Sequence, residues 1–319
     1  TMNGVGTAKD LPAAFLYFQK SAALGNSDAE YGLGRLYLNE NFEQYDPQKA
    51  VEHLTKAAEA GHDTAQYTLG KLYLEGKTVE KDVPRSLQYL EQALDKENQF
   101  AQYLLGKMLL KGEDVEADPV QGEQLLRASI AQGNSQAMYA LGKAYLEGKE
   151  LPQSIPRSLE LLGFAAGQNL ASAQYTLGKL YTEGTVVPKN ILTALDLLTK
   201  AAVQGNPFAQ YRLGKLYLTG EDIPKDIPAA LYWLTKVAEQ GNPYAEYQLG
   251  RLYLYGKEVD RDAEKAIALL TASAAQGNPY AAQLLKHYRQ SKNWAAAMGV
   301  FRLLQHMAGV ISGQLHSDE

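Results

Sequence analysis

Residue types that commonly carry catalysis are few in this chain, and their spacing does not suit catalysis. The sequence has no cysteine, which excludes a thiolate nucleophile and a disulfide framework. None of its histidines has the spacing of a metal-binding pair beside an acidic partner. These histidines are His53, His62, His287, His306 and His316. We therefore predict no enzymatic activity, no metal site and no cofactor.

One segment comes close to a phosphate-binding loop. Gly70 to Thr78 reads G-x-x-x-x-x-G-K-T, which is one residue longer than that loop. A phosphate-binding loop also follows a strand and opens a helix, so that backbone N–H groups can surround the phosphate. Here Gly70 belongs to a periodic helical pattern, and the segment does not predict a nucleotide site.

The most regular charged feature is a series of basic residues at intervals of 36 residues. We call it the basic row: Arg35, Lys71, Lys107, Lys143, Lys179, Lys215 and Arg251. A tyrosine lies four positions before each member. Because lysine and arginine bind carboxylates, the row predicts an extended acidic or carboxylate-bearing peptide as partner.

A structural role is the alternative for the basic row. Three of its lysines have a glutamate four residues later, where the two side chains meet on a helix: Lys71 and Glu75, Lys143 and Glu147, and Lys179 and Glu183. Each exposed pair would stabilise its own helix by about 0.3–0.5 kcal/mol. The spacing alone does not decide between ion pairing and ligand contact.

A second candidate site lies where the period is broken. At the position of Asp28, four later repeats carry aromatic residues: Phe100, Phe208, Tyr244 and Tyr280. The last three follow one another, and we call them the aromatic row. Arg212 and Tyr255 are further departures from the repeat, close to Lys215 and Arg251. Aromatic rings beside cations are typical of interface anchors. The alternative is a hydrophobic contact with the preceding helix.

The elements that carry these side chains follow from the same period. Glycine recurs every 36 residues, at Gly34, Gly70, Gly106, Gly142, Gly178, Gly214 and Gly250. Alanine, leucine and tyrosine recur around it at spacings of three and four, which predicts one apolar stripe of a helix, called helix A here. Glycine within that stripe indicates that another helix approaches closely.

A second helix, helix B, follows in every repeat. Its predicted N-caps are short polar residues 36 apart: Asp10, Asp46, Asp82, Asp118, Ser154, Asn190, Asp226 and Asp262. Proline often follows the cap, and Gly-Asn pairs such as Gly205-Asn206 end helix B and cap the next helix A. No segment shows the pattern of a strand. The sequence predicts an all-α solenoid of antiparallel helix pairs.

The repeat reads A-x-Y-x-L-G-[KR]-x-Y-L-x-G, then a capped A-x-x-x-L-x-x-A-A-x-x-G-N. This pattern resembles the Sel-one-like repeat, a relative of the tetratricopeptide repeat, over nearly the whole chain. The resemblance implies a right-handed superhelix with helices A along its concave groove. It also implies a non-catalytic scaffold that binds a peptide or protein segment in that groove.

Resemblance also points to two other functions. Arrays of this kind resemble those attached to mobilisation relaxases of conjugative elements, which implies an accessory repeat domain that supports assembly of a DNA-transfer complex in bacteria. That alternative predicts a nuclease domain upstream. A repeat-type hydrolase would need a histidine or cysteine on the inner face, which the sequence does not show.

The period divides the chain into three parts. Residues 1–26 are a partial repeat with the end of a helix A plus a helix B, and residues 27–278 are seven tandem repeats. In residues 279–319 the ladder fails, and a divergent last helix precedes a capping helix, from Trp294 to about Val310, and a tail. Because helix A of the first repeat lacks its beginning, we expect a longer polypeptide with an upstream domain.

Composition sets the remaining expectations. A formal net charge of −5 gives no general basic footprint, so we expect no direct binding of nucleic acid. The apolar helix near the C-terminus is too short and too polar to span a membrane. The absence of cysteine fits a cytoplasmic location.

Overall fold

A computed structural model describes residues 10–291 of the chain, and every regular element in that range is a helix. The chain divides into two compact units, Thr1–Leu170 and Ala171–Glu319. Within each unit, consecutive helices are joined by short turns and pack against each other as pairs. The prediction of an all-α repeat of antiparallel helix pairs is confirmed. The expected capping helix, Trp294 to Val310, lies outside the described residues.

The helices alternate between the two predicted types. The first unit holds α1 (Leu11–Ala22), α2 (Ser27–Tyr37), α3 (Pro47–Glu59), α4 (Asp63–Glu75), α5 (Val83–Leu94), α6 (Gln99–Lys111), α7 (Pro119–Ala131), α8 (Ser135–Glu147) and α9 (Ile155–Gly167). The second holds α10 (Ala171–Glu183), α11 (Ile191–Val203), α12 (Pro207–Thr219), α13 (Ile227–Ala238), α14 (Pro243–Tyr255), α15 (Ala263–Ala275) and α16, described from 279 to 291. Even-numbered helices are helices A, and odd-numbered helices are helices B.

Short polar side chains start the helices B as predicted. The Asp10 carboxylate accepts a hydrogen bond from the Ala13 backbone N–H at 2.9 Å. Equivalent bonds are made by Asp46, Asp82, Asp118, Asn190, Asp226 and Asp262. Ser154 is the N-cap of α9 in the same extended conformation, as predicted, but its hydroxyl makes no capping hydrogen bond.

The recurring glycines let the two helices of a pair approach closely. In the helices B from α3 to α15, the leucine at the centre of the helix is fully buried: Leu54, Leu90, Leu126, Leu162, Leu198, Leu234 and Leu270. A Cβ placed on Gly70 would lie 2.6 Å from Cγ of Leu90, closer than two carbon atoms pack. The glycine–leucine contact therefore fixes how helix A sits on helix B.

A buried polar side chain ties helix A to its neighbours on both sides. In α12 the Gln210 amide donates to the Ala202 carbonyl of α11 at 3.0 Å and accepts from Gln240, after α13, at 2.8 Å. Gln102 and Gln132 form the second of these bonds in the first unit, at 2.9 Å. At the same position α14 carries Glu246, which accepts from Gln276 at 2.9 Å. These bonds satisfy polar groups that stacking removes from water.

Candidate functional site

The tyrosines that recur in helix A are first of all packing residues. Tyr37, Tyr73 and Tyr145 are only 6%, 7% and 2% exposed. The tyrosines beside the basic row are half-buried, and burial raises the pKa of the Tyr67 and Tyr211 hydroxyls. These tyrosines are therefore neutral phenols that are partly exposed on this face of helix A.

Each ring of the aromatic row packs on a tyrosine of the preceding helix A. Ring centroids lie 5.7 Å apart for Phe208 and Tyr175, 6.4 Å for Tyr244 and Tyr211, and 6.0 Å for Tyr280 and Tyr247. The three rings nevertheless stay 61%, 51% and 59% exposed. The neighbour is a helix A, which the sequence pattern did not indicate. More than half of each ring is open to a partner.

In the first unit, two of the four members of the basic row are neutralised by glutamates of their own helices. Lys71 pairs with Glu75 at 3.6 Å and Lys143 with Glu147 at 3.2 Å. The Arg35 guanidinium lies 5.8 Å from the centre of the Tyr31 ring, and Arg251 in the second unit lies 5.6 Å from that of Tyr247. The structural interpretation therefore describes Lys71 and Lys143 well.

In the second unit the pattern differs. Glu183, four residues after Lys179, accepts from the Arg212 guanidinium of the next helix A at 2.7 Å. Thr219 and Tyr255 stand where the corresponding glutamates of Lys215 and Arg251 would be. Among residues 10–291, the basic side chains of Lys179, Lys215 and Arg251 have no ion-pair partner. The expected pair of Lys179 and Glu183 is thus replaced, because Arg212 reaches the carboxylate from the adjacent repeat.

Two adjoining pockets lie between α12 and α14. The first, which we call the anchor pocket, has a volume of about 480 Å³ and is walled by the rings of Tyr175, Phe208, Tyr211 and Tyr244, with Arg212 and Lys215 beside them. The second, the charge pocket, has a volume of about 450 Å³ and is lined by Arg251, Leu252, Tyr255 and Lys257. Lys215 and Thr219 belong to both. Together the pockets form the α12/α14 groove.

The α12/α14 groove carries unneutralised positive charge. Of the acids that line it, Asp222 is paired with Lys189, and Glu258 with Lys225, and both lysines come from a neighbouring turn. Arg212 is taken by Glu183. The remaining charged lining consists of Lys215, Arg251 and Lys257 against Glu221, an excess of two positive charges. This local excess contrasts with the net charge of −5 of the whole chain.

The structure brings together half of the predicted site residues. Those lining the α12/α14 groove are Phe208, Arg212, Lys215, Tyr244, Arg251 and Tyr255. Lys107 and Lys143 share a smaller pocket of about 200 Å³ in the first unit. The others line none of these three pockets: Arg35, Lys71, Lys179 and Tyr280.

Sequence reasoning missed the ion pairs that neutralise the groove acids. They join residues 33 positions apart, as does Lys81 with Asp114 at 2.6 Å in the first unit. Ion pairs within one helix join residues three or four positions apart, so looking for those spacings does not reveal ion pairs between repeats. The recurrence of a lysine in one turn and an acid in the next was the available signal.

His62 contributes to a helix end and to packing. His62 caps α4, since its Nδ1 accepts from the Ala65 backbone N–H at 3.2 Å, and its ring stacks on Tyr31. Within residues 10–291, no three His, Cys, Asp or Glu side chains are grouped to hold a metal ion. No helix of that range has the length and apolar character needed to cross a membrane.

Serial helix pairs of one length, held by the same glycine–leucine contact, define a helical-repeat protein. The family model described as Sel1 repeat matches residues 1–26, 27–62, 63–98, 99–134, 135–170, 171–206, 207–242 and 243–278. The chain therefore belongs to the Sel1 repeat family.

Solved structures agree with this assignment. A Sel1 repeat protein from Oxalobacter formigenes is 32% identical, with a TM-score of 0.68 over 89% of this chain and 83% of that one. The protein c5321, a protective antigen present in uropathogenic Escherichia coli, is 27% identical, with a TM-score of 0.71 over 86% of this chain. The chain spans only 58% of the length of c5321.

A more distant likeness concerns the fold alone. Yeast Tom70 is 16% identical, with a TM-score of 0.51 over 92% of this chain and 59% of Tom70. No curated protein shows a significant match. The comparisons establish the family and its architecture, and Sel1 repeat proteins are generally scaffolds for protein interaction.

Proposed function

We propose that this chain is a non-catalytic scaffold that binds an extended acidic segment of another protein in the α12/α14 groove. Membership of a family of protein-interaction scaffolds supports the general role. The groove supports the specific one, because it combines exposed aromatic rings with basic side chains that lack a counter-charge in the described structure. The association with mobilisation relaxases stays a prediction from sequence.

One observation carries the proposal. The members of the basic row are lysine or arginine in both units, but the residue four positions later varies. Glu75 and Glu147 form ion pairs with their lysines. Thr219 and Tyr255, at the same position in the second unit, carry no charge that could form such a pair. If the row served only to pair with its own helix, the acids would be needed wherever the bases are. Retaining Lys215 and Arg251 without those acids is what a carboxylate-bearing ligand would use.

The test is direct binding of a defined acidic probe. We expect a fluorescein-labelled decapeptide of alternating glutamate and glycine to bind, as measured by fluorescence anisotropy at low salt. The double variant Lys215→Glu, Arg251→Glu should weaken binding by at least about tenfold, since each reversal removes one attraction and adds one repulsion.

The matched control is the double variant Lys71→Glu, Lys143→Glu, which reverses two row members that are already paired with glutamates. Its affinity should stay close to that of the original chain. Equal weakening by both double variants would show that charge, and not the α12/α14 groove, governs binding. Equal binding of a lysine–glycine decapeptide would contradict the proposed chemistry altogether.

A further inference from the structure

We infer that the α12/α14 groove recognises a two-part motif, an aromatic side chain and a carboxylate about three residues apart. This inference rests on the proposed function for its choice of surface and goes further by naming the partner's sequence pattern. It follows from the different linings of the anchor pocket and the charge pocket.

The anchor pocket is suited to an aromatic side chain. Four rings wall it, and Phe208 and Tyr244 are more than half exposed although each ring packs at a tilt on a tyrosine ring. A further ring from a ligand could pack edge-to-face or offset on these rings, which is the preferred geometry of aromatic contacts. Arg212 beside them is held by Glu183, so its charge is already compensated.

The charge pocket is suited to a carboxylate. Arg251 presents a planar guanidinium that can bind both oxygens of a carboxylate, and Lys257 adds a second positive charge. The acid of this pocket, Glu258, is engaged by Lys225. Tyr255 and Leu252 provide apolar surface beside such a contact.

The separation of the two pockets sets the spacing of the motif. Tyr244 of the anchor pocket and Arg251 of the charge pocket are seven residues apart on α14, which corresponds to about 10 Å along the helix axis. An extended peptide covers about 10 Å in three residues. The motif is therefore an aromatic residue with an acidic residue about three positions away.

The equivalent pocket of the first unit lacks these features. Gln136 takes the place of Phe208 there, and Glu147 and Glu150 line the pocket together with Lys107 and Lys143. Lys143 is paired with Glu147. Its volume of about 200 Å³ is also less than half that of the anchor pocket. The motif should accordingly be bound in the second unit.

The experiment uses fluorescein-labelled glycine–serine decapeptides that contain one phenylalanine and one glutamate, separated by one to six positions in either order. We expect the tightest binding near a separation of three, about tenfold tighter than peptides in which either residue is replaced by alanine or glutamine. Binding without a preferred separation would overturn the two-pocket geometry.

Protein variants assign each half of the motif to its pocket. Phe208→Ala should remove the gain from the peptide's phenylalanine and keep the gain from its glutamate, and Arg251→Met should do the reverse. Phe208→Leu keeps an apolar side chain and should retain part of the gain, which separates loss of the anchor from loss of folding. Phe100→Ala is the matched control, since Phe100 is a similarly exposed ring packed on Tyr67 in the first unit.

The outcomes distinguish failure of the two-part motif from failure of the proposed function. If the glutamate–glycine decapeptide binds in the α12/α14 groove but phenylalanine adds nothing, the two-part motif is wrong and the acidic-peptide scaffold stands. If neither kind of peptide binds, the proposed function itself fails. If Phe100→Ala weakens binding as much as Phe208→Ala, the anchor pocket is not the site.

Discussion

Replacing Gly122 by alanine should destabilise the first unit, although alanine is the residue that five other repeats carry at this position. These residues are Ala14, Ala50, Ala194, Ala230 and Ala266. In α7, a Cβ on Gly122 would lie 2.7 Å from the backbone nitrogen of Leu110 and 2.8 Å from the carbonyl oxygen of Gly106, both in α6. These are backbone atoms, so no side chain can rotate away.

The cost follows from these distances. Ordinary contact begins near 3.4 Å, so α6 and α7 would have to separate by about 0.6–0.7 Å. A gap of that size loses a quarter to a half of each dispersion contact along the interface. Overpacking of this kind costs about 1–3 kcal/mol, and the better helix propensity of alanine returns about 1 kcal/mol. The net expectation is a loss of up to about 2 kcal/mol, with about 1 kcal/mol at the middle of that range.

Gly163→Ala in the same unit is the matched control. Gly163 lies inside α9, and an added Cβ would meet no heavy atom within 4 Å. Only the propensity term applies, so this variant should be more stable by about 0.5–1 kcal/mol. Urea denaturation followed by far-ultraviolet circular dichroism measures both changes. A Gly122→Ala variant as stable as the original chain would refute the claim that contact between α6 and α7 backbones requires glycine.

Three further changes test other parts of the structure. Glu246→Gln should raise the free energy of unfolding by about 1 kcal/mol at neutral pH, because glutamine can also donate to the Ala238 carbonyl as Gln210 does to Ala202. Burial raises the pKa of the Glu246 carboxyl, so ionisation of this group destabilises the folded state as the pH rises above 4.5. In urea titrations, the stability advantage of glutamine should therefore shrink as the pH falls toward 4.5. Glu97→Gly should raise the free energy of unfolding by about 1 kcal/mol, measured by thermal or urea unfolding. Glu97 has a φ of 55°, and the equivalent position of the next repeat is Gly133, for which a positive φ is not strained. An unchanged free energy of unfolding would contradict strain at Glu97. Thr219→Glu with Tyr255→Glu should give Lys215 and Arg251 their own intrahelical acids and weaken binding of the glutamate–glycine decapeptide several-fold while the unfolding midpoint stays unchanged; unchanged affinity would contradict the role of unpaired charge.

The fold was predictable from sequence because stacking repeats one physical problem. Each pair needs a glycine opposite a buried leucine, and each helix needs a donor-satisfying cap, so the same residue type returns every 36 positions. Gly70 and Leu90 show the first requirement, and Asp82 and Asn98 show the second. Ser154 shows the limit, since a suitable residue type in the right place does not make the bond.

The candidate site was predictable only in part. The period identified Lys215 and Arg251 as members of a row, but whether a basic side chain is free depends on neighbours that come from another repeat. Glu183 was expected beside Lys179 and is instead bound by Arg212, 29 residues later. The lysines that neutralise Asp222 and Glu258 lie 33 residues before them. Such distances follow from how turns of adjacent repeats meet, which residue spacing within one helix does not reveal.

Function can change in this architecture without disturbing the stack, because the two sets of residues point in different directions. Each member of the basic row directly follows a glycine of the helix pair contact, and successive residues of a helix project about 100° apart. Gly214 faces the buried Leu234, while Lys215 is exposed and lines the α12/α14 groove. The position four residues further on is exposed as well, so exchanging glutamate for Thr219 alters the charge of the groove and leaves the glycine–leucine contact intact. A strictly periodic core is therefore compatible with a binding surface confined to a few repeats.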